Sequence, residues 1–186
     1  MKRISFWLIL IVGLQIAWMA GTATVKELDL KRGATVLLET APVDPRDLLA
    51  GDYVILSYKI SNIPVGLFDD ARQAAQEIQQ SPNRVVYVLL RKNGQFHEAV
   101  RASFEPITTK RGELMIKGNI APNQWQPSNV RINYGLEKYF VPEGTGNPTG
   151  KLSVNASVSS DGGAIIKQVY IDGKPYGEVM RSRVRK

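Results

Sequence analysis

The sequence predicts a mainly β domain, about eight to nine strands in antiparallel hairpins with one short helix, preceded by one N-terminal transmembrane helix. Three observations predict this. An almost uninterrupted apolar run covers residues Ile4 to Ala23. Beyond it, short β-branched and aromatic segments alternate with turn residues. Two of these segment pairs flank glycine turns, Asn93-Gly94 and Asp161-Gly162-Gly163.

The run ISFWLILIVGLQIAWMAGTA is interrupted only by Ser5, Gln15 and Thr22 among its polar residues. About 20 residues rising roughly 1.5 Å each span about 30 Å, the thickness of a bilayer core. Lys2 and Arg3 precede it, and positive flanks stay cytoplasmic, so the bulk of the chain is expected outside the cytoplasm. This corresponds to a single-pass protein of the cell inner membrane, with a periplasmic or otherwise extracytoplasmic domain. Trp7 and Trp18 suit the two interfaces. The competing reading is a cleaved signal peptide, for which Gly21-Thr22-Ala23 offers small residues. The apolar stretch is longer than a usual signal core of about 7–15 residues, which favours a retained anchor. The resulting division is an anchor over 1–25, a β-rich domain over 26–180 and a basic tail over 181–186.

In the domain, strands are expected at Ala34–Thr40, Asp52–Ile60, Val85–Arg91, Phe96–Phe104, Glu113–Asn119, Val130–Tyr134, Lys138–Val141, Leu152–Ser159 and Ala164–Ile171. A last short strand is expected near Tyr176–Met180, after the Asp172-Gly173 turn. Asn-Gly favours the left-handed conformations of a tight hairpin. Asp69 or Asp70 can cap a helix over ARQAAQEIQQ, with Ala71, Ala74, Ala75 and Ile78 on one stripe. The order strand, Ala-Pro, strand ending in tyrosine, hairpin occurs twice. It runs through Ala41-Pro42, Tyr58 and Asn93-Gly94, then through Ala121-Pro122, Tyr134 and Asp161-Gly162. Either the chain holds a two-fold internal repeat of β modules, or β proteins simply reuse turns.

Composition excludes several chemistries. There is no cysteine, which removes disulfides, thiolate metal sites and cysteine nucleophiles. One histidine, His97, cannot supply a site needing two imidazoles, and an exposed strand histidine is expected there. The net charge of +7 is concentrated at the ends, in Lys2, Arg3, Arg181, Arg183, Arg185 and Lys186. Without these six, 18 basic residues face 17 acidic ones, so no nucleic-acid groove is indicated. The tail RSRVRK suits either anionic headgroups or a solvated terminus. No catalytic constellation, metal site or cofactor fingerprint is expected. The aspartates Asp44, Asp47 and Asp52 are explained as turn formers, and Glu137 with Glu143 cannot be paired without distances.

The segment APVDPRDLLAGDYVILSY contains Gly51-Asp52-Tyr53, Leu56 and Tyr58. It resembles the signature of the GDYXXLXY family of uncharacterised membrane-anchored proteins. A second block, Tyr134-Gly135-Leu136-Glu137-Lys138-Tyr139-Phe140-Val141-Pro142-Glu143-Gly144, looks like that family's later block. The resemblance implies a membrane anchor and a multi-spanning membrane protein as partner, and supplies no activity. Gly51-Asp52 before an apolar strand also resembles the Gly-Asp of signal-peptidase-like enzymes, but the preceding Pro42-Val43-Asp44-Pro45 lacks their nucleophilic serine.

Strand alternation gives the motif a physical meaning of its own. Asp52, Val54, Leu56, Tyr58 and Ile60 share one face, and Gly51, Tyr53, Ile55, Ser57 and Lys59 the other. The first set suits the core. In the structural reading the motif fixes a turn into a core strand. In the functional reading, Asp44, Arg46, Asp47 and Tyr53 form an exposed partner-binding loop. The expected function is a binding or accessory module for an integral membrane or envelope partner. The alternatives are an envelope enzyme, or a small-ligand sensor with a cavity between the halves, using the PVDPRDLLAGDY region.

Overall fold

A computed structural model describes residues 2–41, 53–80, 83–126, 128–141 and 150–184. Asp44, Arg46, Asp47, Gly51, Asp52, Glu143 and Gly144 lie outside these residues, as do Arg185 and Lys186 of the tail.

Helix α1 runs from Lys2 to Arg32, and its segment Phe6–Val25 is long and apolar enough to cross a membrane. It continues seven residues past that segment, with Lys31 paired to Glu27 at 2.7 Å. Only Gly33 separates it from strand β1, Ala34–Glu39. A side chain is excluded at Gly33, because a Cβ would come within 2.6 Å of the Ser157 hydroxyl oxygen and the Val158 carbonyl oxygen.

The domain holds β2 (Tyr53–Ile55), β3 (Asn62–Pro64), α2 (Ala71–Gln80), β4 (Val85–Asn93) and β5 (Phe96–Ser103). There follow β6 (Glu113–Gln126), β7 (Asn129–Asn133), β8 (Lys138–Phe140), β9 (Leu152–Val158), β10 (Ala164–Ile171), β11 (Lys174–Pro175) and α3 (Tyr176–Val184). All strand pairs are antiparallel. The mainly β class is therefore as expected, with eleven strands and three helices among the described residues.

Several elements depart from expectation. The strand expected over Asp52–Ile60 is regular only at Tyr53–Ile55, because the chain tightens into a 3-10 turn over Lys59–Ser61. The strand expected to end at Asn119 continues through Ala121-Pro122 to Gln126, changing its partner register between Ile120 and Trp125. The last expected strand is instead helix α3. Tyr176 and Met180, one helical turn apart, both bury against the core there. Helix α2 matches its expected span, and Asp70 caps it by accepting the Arg72 and Gln73 backbone N–H groups at 2.9 and 3.0 Å. Ala74 and Ile78 are the buried residues of its stripe, while Ala71 is exposed. The β4–β5 hairpin falls where expected but one residue later: Asn93 stays in the ladder opposite Phe96, and the loop is Gly94-Gln95, with Gly94 at φ +61 in its first position.

Strand order answers the question of the repeat. One sheet has the order β1-β9-β10-β11 and another β3-β7-β6-β4-β5, with a ribbon of β2 and β8. Each half's leading strand, β1 or β6, lies on the other half's hairpin, β9–β10 or β4–β5. The segments 53–64 and 129–140 correspond at the 76-position offset between Tyr58 and Tyr134. The β2–β8 register (Tyr53 opposite Phe140) and the β3–β7 register (Pro64 opposite Asn129) belong to one continuous antiparallel pairing of these two segments. The like order of strands, with the leading strands exchanged, fits two β modules of related topology. A single hydrophobic cluster joins them, including Val36, Leu38, Val54, Leu56, Val86, Val88, Leu90, Ile116, Ile132, Val154 and Val169.

Candidate functional site

The two sequence blocks come together. Tyr53, Val54 and Ile55 pair with Phe140, Tyr139 and Lys138, and the Leu56 N–H donates to the Glu137 carbonyl at 2.8 Å. Alternation sorts the ribbon into two faces.

The inner face is structural. Val54, Leu56, Tyr58 and Ile60 are all buried, as expected from the spacing. Tyr139 packs edge-on to Tyr176 at 5.5 Å. The Tyr58 hydroxyl donates to the Leu136 carbonyl at 2.6 Å, and the Tyr134 hydroxyl donates to the Ile60 carbonyl at 2.7 Å. Each tyrosine thus reaches the residue two places beyond its counterpart. The local turns correspond as well. The Tyr58 N–H donates to the Ser61 hydroxyl oxygen at 3.3 Å, and the Tyr134 N–H to a Glu137 carboxylate oxygen at 2.6 Å. Burial, and secondarily the Glu137 carboxylate, raises both phenols far above their usual range. They remain neutral donors and are unsuited to base chemistry. The backbones differ at one place: Gly135 takes φ +78, whereas its counterpart Lys59 lies in the 3-10 turn.

The outer face is different. Phe140 is 74% exposed, the most exposed large apolar side chain outside α1 among the described residues. Tyr53 meets it edge-on at 6.1 Å, and the Lys138 ammonium lies 5.0 Å from the Tyr53 ring centre. Ile55 completes the face, half-buried. Ile55 is expected on the Tyr53 face and Lys138 in the second block, but neither stands out in the sequence as a site residue; the β2–β8 pairing brings both beside Tyr53 and Phe140. At the corresponding positions, again drawn from both modules, the fold has Asn129, Arg131, Asn62 and Pro64. The fold thus tolerates non-aromatic residues at both ring positions.

Other candidates resolve differently. His97 is half-buried and accepts the Leu37 N–H at Nδ1, 3.2 Å away, rather than lying exposed on its strand. Strand β1, distant in sequence, covers it. A cleft of about 230 Å³ lies between α2 and β5 and includes Phe68, Phe104, Asp69, Glu77, Arg84 and Glu105. It lies within the first module, away from any seam between the modules. Arg84 occupies part of it, paired with Glu77 and lying 4.4 Å from the Phe104 ring centre. Asp69 is held by Arg101 at 2.6 Å rather than capping α2. Among the described residues, no group of three or more histidine, aspartate or glutamate side chains is placed to hold a metal ion.

The fold and these two segments define a class: a mainly antiparallel β domain behind a long apolar N-terminal helix, with a signature segment locked to a second aromatic block. The model of the GDYXXLXY protein family matches residues 15–169, and the chain belongs to that family. No curated protein matches the chain. No solved structure matches it.

Proposed function

We propose that the chain is a membrane-tethered accessory module, with α1 in the bilayer and its N-terminus cytoplasmic. The β domain then docks from the outer side on an integral membrane protein through the Tyr53–Ile55–Lys138–Phe140 face. Exposure of Phe140 carries this reading. Leaving so large an apolar ring in water forgoes roughly 2 kcal/mol of burial. The first module carries Pro64 in the corresponding place, so the architecture does not need the ring. Aromatic side chains such as Tyr53 and Phe140 are among the groups that anchor protein interfaces.

The test is photocrosslinking in intact membranes from a benzophenone side chain at position 140, with the same group at position 64 as control. Capture of one multi-spanning protein from position 140 and none from position 64 is expected. Equal yields from both positions, or none from position 140, refute the docking face. A reporter that fluoresces only in the cytosol, fused to the C-terminus, tests topology separately; fluorescence there refutes the tether's orientation.

A further inference from the structure

The two larger sheets approach each other edge to edge at two places. At one, the Lys117 N–H of β6 donates to the Gly162 carbonyl of the β9–β10 turn at 2.9 Å. At the other, β1 runs beside β5, and the Leu37 N–H donates to His97 Nδ1 at 3.2 Å. Leu37 stands opposite Asn155 in the β1–β9 ladder, so this bond ties the second edge of a strand already held on its first.

The two acceptors differ in one respect. A carbonyl accepts a hydrogen bond at any pH, whereas an imidazole nitrogen accepts only while it carries a lone pair. A backbone N–H can only donate, so the His97 proton belongs on Nε2. Protonation of Nδ1 then sets two N–H groups against each other.

The surroundings offer the charged ring little help. Lys92 of β4 stands directly across from it, and Leu90 and Ala99 pair one step along the same face. Glu98 of β5 accepts from Asn93 at 2.9 Å, and Glu39 of β1 is paired with Lys59 at 2.7 Å. Burial, the largest cause, holds the ring's pKa below its ordinary value together with the Lys92 charge, against an opposing contribution from the Leu37 backbone. The neutral, accepting form is therefore the resting one at neutral pH. Because only Gly33 joins β1 to α1, the strand held by His97 is the strand that carries the N-terminal helix.

We propose that His97 is a proton-operated latch: acidification releases the β1–β5 edge, and with it the strand attached to α1, while the β6–Gly162 contact stays closed. The test is residue-resolved hydrogen exchange on the full chain in detergent micelles, corrected for intrinsic rates, at about pH 7.5 and about pH 5. Leu37 is expected to lose roughly tenfold or more of its protection at the lower pH, with Lys117 unchanged. In His97→Gln, whose amide oxygen accepts at any pH, Leu37 protection is expected to stay level. Unchanged Leu37 protection in the native chain, an equal loss at Lys117, or the same loss in His97→Gln overturns the latch. So does a nitrogen spectrum placing the imidazole proton on Nδ1 at about pH 7.5.

Discussion

Replacing Tyr58 by phenylalanine removes one oxygen and nothing else, and the structure sets what that costs. The hydroxyl is fully buried, and its acceptor is the Leu136 carbonyl of the other module at 2.6 Å. The ring stays packed, so the transfer contribution of the aromatic group is retained. What is lost is one buried hydrogen bond, with a carbonyl left unsatisfied, costing about 1–3 kcal/mol. For a domain of this size that is a fall of roughly 2–12 °C in melting temperature, at about 2–4 °C per kcal/mol. The correspondence of the modules adds a sharper requirement. Tyr134→Phe removes the counterpart bond to Ile60, also from a buried ring, and its loss should match that of Tyr58→Phe within about 1 kcal/mol. Circular-dichroism melts and urea titrations on the two single variants and the double variant measure this. Two unequal losses, one near zero and one large, would refute the idea that these bonds are equivalent clamps between modules. Two losses near zero would refute the clamp itself.

Gly118→Ala tests the closest strand approach. Its Cβ would lie 2.5 Å from Ile132 Cγ2 and 2.6 Å from the Asn133 carbonyl oxygen, so a loss of about 1–3 kcal/mol in urea unfolding is expected. Asp70→Ala removes the cap of α2 and should cost about 1 kcal/mol; Asp69→Ala, which breaks only an exposed ion pair with Arg101, should cost less than that in the same assay. Phe140→Ser should leave the melting temperature within about 2 °C of the native value while abolishing crosslinking from neighbouring position 138. Because the folded pKa of His97 lies below its unfolded one, its contribution to stability is present above the unfolded value and is lost as pH falls through the folded one. The slope of stability against pH between about 7 and 5 should accordingly flatten in His97→Gln, as read from urea midpoints.

Much of the fold was legible because it rests on local chemistry. Gly94 turns its hairpin, Asp70 caps its helix, and alternation from Val54 to Ile60 names the buried face correctly. The misread elements are those where a distant partner prevails over local preference. Pro122 reads as a loop, yet β6 continues past it by changing register against β7. The segment after Asp172-Gly173 is short enough for either a strand or a helix, and burial of Tyr176 and Met180 selects the helix.

The sequence alone determined that the chain begins with an apolar helix of membrane-spanning length, that a β domain follows, and that its motif tyrosine Tyr58 points inward. These follow from hydropathy and from two-residue periodicity, which need no knowledge of what lies opposite. Only the tertiary structure decided that the leading strands are exchanged between modules, that the signature segment pairs with the second aromatic block, and that His97 meets Leu37. Each is a contact between residues far apart in the chain, where loop closure and shape complementarity, rather than local propensity, choose the partner.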